Sequence, residues 1–256
     1  LTNTGTLNVS GDALKTLNSL TLNNAGTVAW TGGGSLNGGN GAIFNNLAGG
    51  LFDAQNDASF AWFGGVPPVF NNAGLFRKSA GAGTTTFSNV TFTNSGTVES
   101  QAGVLNFAGG YTQSAGATNL SGGNIAATGT LNIQGGSLSG AGAITANVAN
   151  AGQVNPGGVG AAGVLTITGN YSQTAAGVLN IELGGLSPGA QFDQLKITGS
   201  ATLNGTLDVS TINGYVPNSG DSFQIMTYGS RTGTFATVNG NYTPTYNPTD
   251  LTLVAQ

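Results

Sequence analysis

The chain has 256 residues, 45 of them glycine, with five basic and nine acidic residues and neither histidine nor cysteine. A Ser-His-Asp triad, a cysteine nucleophile, thiolate or imidazole zinc sites and a disulfide framework are therefore excluded. The net charge of −4, without a basic tract, argues against nucleic acid as a partner, and no apolar run approaches the roughly 18 residues of a membrane-spanning helix.

From the first residue a short pattern recurs, an apolar residue, any residue, Asn, and then Gly close behind. It reads LTNTGTL from Leu1, LNNAGTV from Leu22, FNNLAGGLF from Phe44, FNNAGLF from Phe70 and FTNSGTV from Phe92. A repeat of about 22 residues is the signature of a solenoid. The column residues Asn3, Asn24, Asn46, Asn72 and Asn94 are expected to form a structural ladder, each side chain bonding to its equivalent in the next coil. Between the Asn positions apolar residues alternate, as in Leu7/Val9 and Val28/Trp30, and later Leu105/Phe107 and Leu165/Ile167. Period two means strands with one buried face. Glycines between the strands are expected to supply positive φ at the corners. Only DALKTLNSL, residues 12–20, hints at a helix, with a strand edge as the alternative.

Three stretches are candidates for chemistry. Asp53, Asn56 and Asp57 form an oxygen-rich cluster, but about 13 Å between carboxylates on one strand is too wide for a glycosidase pair unless the chain turns. SFAWFGGVPPVF, residues 59–70, interrupts the repeat, and Phe60, Trp62 and Phe63 are the candidate glycan contact. Facing outward, Trp62 could stack on a sugar ring; facing inward, it would fill the core as Trp30 does. FRKS, residues 76–79, holds two of the five basic residues. Aligning the coils puts Val28, Phe52, Phe76 and Val98 in one inward column and Asp53, Arg77 and Glu99 in an outward charge ladder of alternating sign. Lys78 then falls on an inward position, and a corner starting one residue early would release it to solvent.

Further along, GVGAAG (158–163) satisfies a dinucleotide-binding pattern but lacks the strand before and helix after that such a site needs. GGYTQSAGATNL (109–120) matches GNYSQTAAGVLN (169–180), a second and longer repeat. The succession NAGQVNPGG, GVLTITGNYSQTAAGVLNIELGG, FDQLKITGSATLNGTLDV and GDSFQIMTYGSRTGTF resembles the passenger regions of bacterial autotransporter-type and filamentous-haemagglutinin-like surface proteins. The resemblance implies a secreted parallel β-helix acting in adhesion or as an extracellular stalk, and carries over no catalytic residue.

The expected fold is an all-β, right-handed parallel β-solenoid of about eleven coils, since parallel crossovers prefer that hand. It is expected as one elongated body over 1–256, with Asn-Gly coils over 1–108, Gly-rich coils over 109–210 and a C-terminal β cap over 211–256. The expected function is structural or adhesive at the bacterial surface or outside the cell, with no catalytic residue, metal or cofactor and no membrane insertion by this segment. Partners are sought among cell-surface glycans, proteins and further copies stacked end to end. A polysaccharide-binding or polysaccharide-degrading β-helix enzyme and a self-assembling filament subunit are the alternatives. The opening residues lack Met and read as the middle of a repeat, so targeting signals are expected elsewhere.

Overall fold

The computed structural model describes all residues, Leu1–Gln256, and contains strands, turns and no helix. It divides into two compact units, Leu1–Leu131 and Asn132–Gln256. In both, the strands pair in parallel with their equivalents in neighbouring coils, the arrangement of a parallel β-solenoid.

In the first unit each coil contributes three short strands, and these stack into three columns. The first column runs through Thr2–Asn3, Thr21–Asn24, Ile43–Asn46, Val69–Asn72, Thr91–Asn94 and Tyr111–Gln113. The second runs through Thr6–Val9, Thr27–Trp30, Leu51–Ala54, Leu75–Lys78, Thr97–Ser100 and Ala117–Ser121. The third comprises Lys15–Asn18, Leu36–Gly39, Ser59–Trp62, Thr84–Ser88, Val104–Phe107 and residues 124–127. The helix-like stretch 12–20 is thus strand at Lys15–Asn18. Its coil-to-coil pairing outweighs the local helical spacing.

Alternation along each strand turns one apolar face inward, and the inward residues stack by type. Val28, Phe52, Phe76 and Val98 are in register and fully buried. In the first column Phe44, Phe70 and Phe92 lie nearly parallel, with centroids 4.7 and 4.9 Å apart, the spacing of adjacent strands. Rings from different columns meet edge to face, as Phe52 does with Phe70 at 5.3 Å.

The glycine after each column Asn has a different role from the one expected. Gly26, Gly50, Gly74 and Gly96 do not have positive φ. A Cβ on Gly74 would stand 2.3 Å from Gly50 O, and one on Gly96 2.2 Å from Gly74 O. Backbones of successive coils meet so closely at this corner that no side chain fits. Positive φ is used one residue earlier in the same corner by Gly49, and at other corners by the non-glycine residues Ser19, Asn40 and Asn89.

The second unit starts from one long strand, Ser137–Asn150, that serves three columns. Its residues 137–140 pair with Gln153–Pro156, 142–144 with residues 165–167, and 148–150 with Tyr171–Gln173. Here the coil-to-coil step grows to 30 residues, as from Asn170 to Ser200 and Thr202 to Thr232, because segments such as 184–193 are inserted between strands. At Ser222–Thr227 the parallel column stops. Asp250–Ala255 pairs antiparallel with it, and Tyr242–Tyr246 pairs antiparallel with Asp250–Ala255. The antiparallel strand occupies the edge that a further parallel coil would need.

Candidate functional site

The first-column Asn residues point inward and are buried from Asn24 onward. Asn3 Nδ2 donates to Asn24 Oδ1 (2.7 Å), Asn24 to Asn46, Asn46 to Asn72 and Asn72 to Asn94 (2.8 Å each). Each amide also donates to the backbone of the corner: Asn46 Nδ2 reaches Gly50 O and Leu75 O. The ladder then changes residue type. Asn94 donates to Gln113 Oε1 at 3.1 Å, and in the second unit Asn150 donates to Gln173 Oε1 at 3.3 Å. Phe92 is in register with Tyr111, and Val148 with Tyr171. The Tyr-x-Gln motifs of the second repeat are therefore rungs of the same kind as apolar-x-Asn. Tyr111 bonds Thr118, and Tyr171 bonds Gln173 and Asn150, which satisfies both buried hydroxyls. Burial pushes both phenols well above their ordinary range.

In the second column Asp53, Arg77 and Glu99 share one register position. Arg77 Nη2 donates to Asp53 Oδ2 at 2.9 Å. Ser79 Oγ and Gln55 Nε2 also donate to that carboxylate, and under this cover Asp53 is only 3% exposed. Burial acts to raise its pKa, and the three hydrogen bonds outweigh that and hold it below the usual carboxylate range. Glu99 instead accepts from Gln101. It acts on Arg77 through charge alone, adding to Asp53 in raising the guanidinium pKa.

Lys78 is not released to solvent. It occupies an inward position, in register with Ala54 and Ser100, and is fully buried. Its Nζ donates to Asn56 O (2.7 Å), Asp57 Oδ1 (2.8 Å), Ala80 O and Thr85 Oγ1 (both 3.0 Å). Asn56 is buried too, and its amide donates to Trp30 O and Gly32 O. Asp57 also accepts from Gly83 N, and the Lys78 hydrogen bond holds its pKa low. The side chain fits because small Ala54 lies beneath it. The oxygen-rich cluster 53–57 is thus an interlocked corner rather than a solvated loop.

The opposite side of the coil differs. Phe60 is buried at 1% exposure, while Trp62 is 40%, Phe63 45% and Val66 67% exposed. Alternation would put Phe60 and Trp62 on one face. It breaks at Trp62, where the chain leaves the strand and Trp62 Nε1 donates to Gly65 O at 3.2 Å. The corner is built onto the preceding coil. Gly41 N donates to Val66 O, Phe63 N to Gly38 O, and a Cβ on Gly39 would lie 2.6 Å from the Phe63 ring. This corner leads into Val69–Asn72, whose outward Asn71 belongs to a second, outer ladder. Asn45 Nδ2 donates to Asn23 Oδ1, Asn71 to Asn45, and Thr93 Oγ1 to Asn71, at 2.8, 2.9 and 2.7 Å. The doubled Asn of LNN, FNN and FNN was the available signal for it.

The charged side chains of the first unit are segregated. Asp53, Arg77, Lys78 and Glu99 stand on the second column, Asp12 and Asp57 on the corner after it, and Lys15 at the start of the third. None lies on the first column or on corner 63–68. In the second unit two carboxylates hold the loop that carries GVGAAG. Glu182 accepts from Gly160 N with both oxygens, and Asp193 accepts from Gly163 N and Glu182 N.

A stretch of this chain is 41% identical over 69 residues to the adhesin BmaC autotransporter of Brucella suis biovar 1 (strain 1330). The match covers 26% of this chain and 2% of that much longer protein. No family model matches the sequence.

Proposed function

We propose that this chain is a segment of a secreted or surface-exposed bacterial β-solenoid that serves in adhesion, binds through its side faces and carries out no catalysis. The observation that carries this reading is the stacking of amide and aromatic ladders through successive coils of the first unit, in a chain that partly matches an autotransporter adhesin. Fold alone assigns no activity. Acid–base chemistry needs a carboxyl group able to exchange protons with a substrate. Asp53 is enclosed by Arg77, Ser79 and Gln55, and Asp57 is held by Lys78 and Gly83 N, so both serve the corner. No helix is long and apolar enough to cross a membrane.

Beads coated with the purified chain test the reading on cultured epithelial cells and immobilised matrix proteins. Attachment above albumin-coated beads is the expected result. Absence of attachment to every surface, or release of reducing sugar from a polysaccharide panel, would overturn it.

A further inference from the structure

We infer that the charge-free side of the first unit, the Trp62 corner together with the outward Asn23–Asn45–Asn71 ladder, is a binding face for a neutral glycan chain. The inference deepens the adhesive reading and rests on it.

Trp62 and Phe63 are both large and apolar, and side chains of this kind are ordinarily buried. Here they are held outward by a defined corner rather than a loose one. The single polar group of Trp62 is already satisfied by Gly65 O, so the ring is presented as an apolar plane. Gly39 leaves space for the Phe63 ring against the coil below. One face of a pyranose ring is lined by C–H groups and its rim by hydroxyls. An aromatic plane suits the first, and side-chain amides, which donate and accept, suit the second.

The amides are present on both flanks. Asn40 donates to Asn18 at the same corner of the preceding coils, at 2.7 Å. The outer ladder follows on the strands that the corner feeds. Each ladder amide has two N–H groups, and in the half-buried Asn45 and Asn71 one of them is taken by the neighbouring rung, while the other has no protein partner. The rungs repeat at strand spacing, about 4.8 Å. That regularity suits a linear polymer of similar units better than a single small molecule. The charge distribution decides between classes of glycan. An anionic polysaccharide is held by Lys or Arg, and every cationic side chain of the first unit stands elsewhere on the coil.

The two tryptophans give a direct readout, since Trp30 is fully buried and Trp62 exposed. The intact chain is mixed with linear neutral oligosaccharides (β-glucan, mannan, galactan and xylan fragments) and with polygalacturonate and hyaluronan fragments as anionic counterparts. Acrylamide quenching and affinity electrophoresis are measured for each. At least one neutral series should shield Trp62 from acrylamide and retard the protein, with affinity rising with chain length. Trp62→Ala should weaken retardation tenfold or more, and Asn45→Ala severalfold, while Arg77→Ala leaves it unchanged; circular dichroism checks that each variant folds. The proposal fails if no neutral glycan binds, if the anionic series binds equally well, or if Trp62→Ala binds like the parent. Cell attachment separates the two claims. Attachment retained in full by Trp62→Ala rejects this face and keeps adhesion, whereas a parent chain that never attaches rejects the adhesive reading itself.

Discussion

At Lys78 an ammonium group takes a place held in neighbouring coils by Trp30, Ala54 and Ser100. Buried charge is tolerated only when paired and hydrogen-bonded, and the corner of the preceding coil provides both. Lys78→Met should therefore strip Ala80 O of its donor and Asp57 of its ion-pair partner, and lower stability by about 2–4 kcal/mol in denaturant unfolding. Arg77 is half-exposed, and its pair with Asp53 is worth less. Arg77→Ala is expected to lower stability by about 1 kcal/mol. Arg77→Glu should lower it further, because three carboxylates then share one register position; equal unfolding midpoints for the two variants would refute the electrostatic coupling. Asp193 behaves oppositely to Asp53. Burial pushes its carboxyl up to about 7, against the Glu182 and Gly163 N–H donors and with the Glu182 charge adding to the rise. A folded pKa above the unfolded value of 3.8 means that the folded state binds the proton more tightly, so this contribution is greatest at low pH and is lost as pH rises through about 7. Asp53 and Asp57, with lowered values, contribute above about pH 4 and lose that contribution as pH falls through their folded pKa. The melting temperature should decline from about pH 4 to 7, and Asp193→Asn should flatten that decline.

At the scale of the element, the coil corner depends on the column amide. Asn46→Ala removes donations to Asn72 Oδ1, Gly50 O and Leu75 O at once, and costs Asn24 its side-chain acceptor, leaving it only the backbone oxygens of Gly26 and Leu51. The expected loss is about 2–4 kcal/mol by calorimetry or urea unfolding; a loss within experimental error would mean that water replaces the amide. Much of this element was readable beforehand. Strands, columns and the inward Val28–Phe52–Phe76–Val98 register follow from period-two alternation laid over a 22-residue step. Other features were hidden for physical reasons. Gln113 and Gln173 serve the Asn column through a longer side chain, so their motif looked like a separate repeat. The outward Asn23, Asn45 and Asn71 were masked by their inward neighbours in the same Asn-Asn pairs. Trp62 leaves the alternation because its corner folds back over Gly38 and Gly39, a tertiary contact that local pattern does not encode. Lys78 could be placed on an inward position, but two of the four oxygens that receive it, including its ion-pair partner, come from a coil 21 and 22 residues earlier.

For the whole molecule, amides and rings carry the cohesion and charge carries little. Two side-chain ion pairs, Arg77–Asp53 and Lys78–Asp57, are formed, and the second has a buried ammonium. Salt screens exposed charges and leaves amide ladders almost untouched. Raising sodium chloride from about 0.05 to 0.5 M, which shortens the screening length severalfold, should shift the melting temperature by no more than a degree or two. A large drop would show that electrostatics had been underestimated. The two amide ladders of the first unit also differ in sense. Along the inner one every Nδ2 points to the next coil up the chain, from Asn3 through to Gln113. Along the outer one the donors point back, from Thr93 to Asn71, Asn45 and Asn23. Each row is a line of aligned dipoles that polarise one another, and the two lines, lying on opposite faces of the same strands, run in opposite senses, five bonds on the inner row against three on the outer. The stack thus gains the cooperativity of a polar wire on each face, and the outer row offsets part of the end charge that the inner one would carry alone.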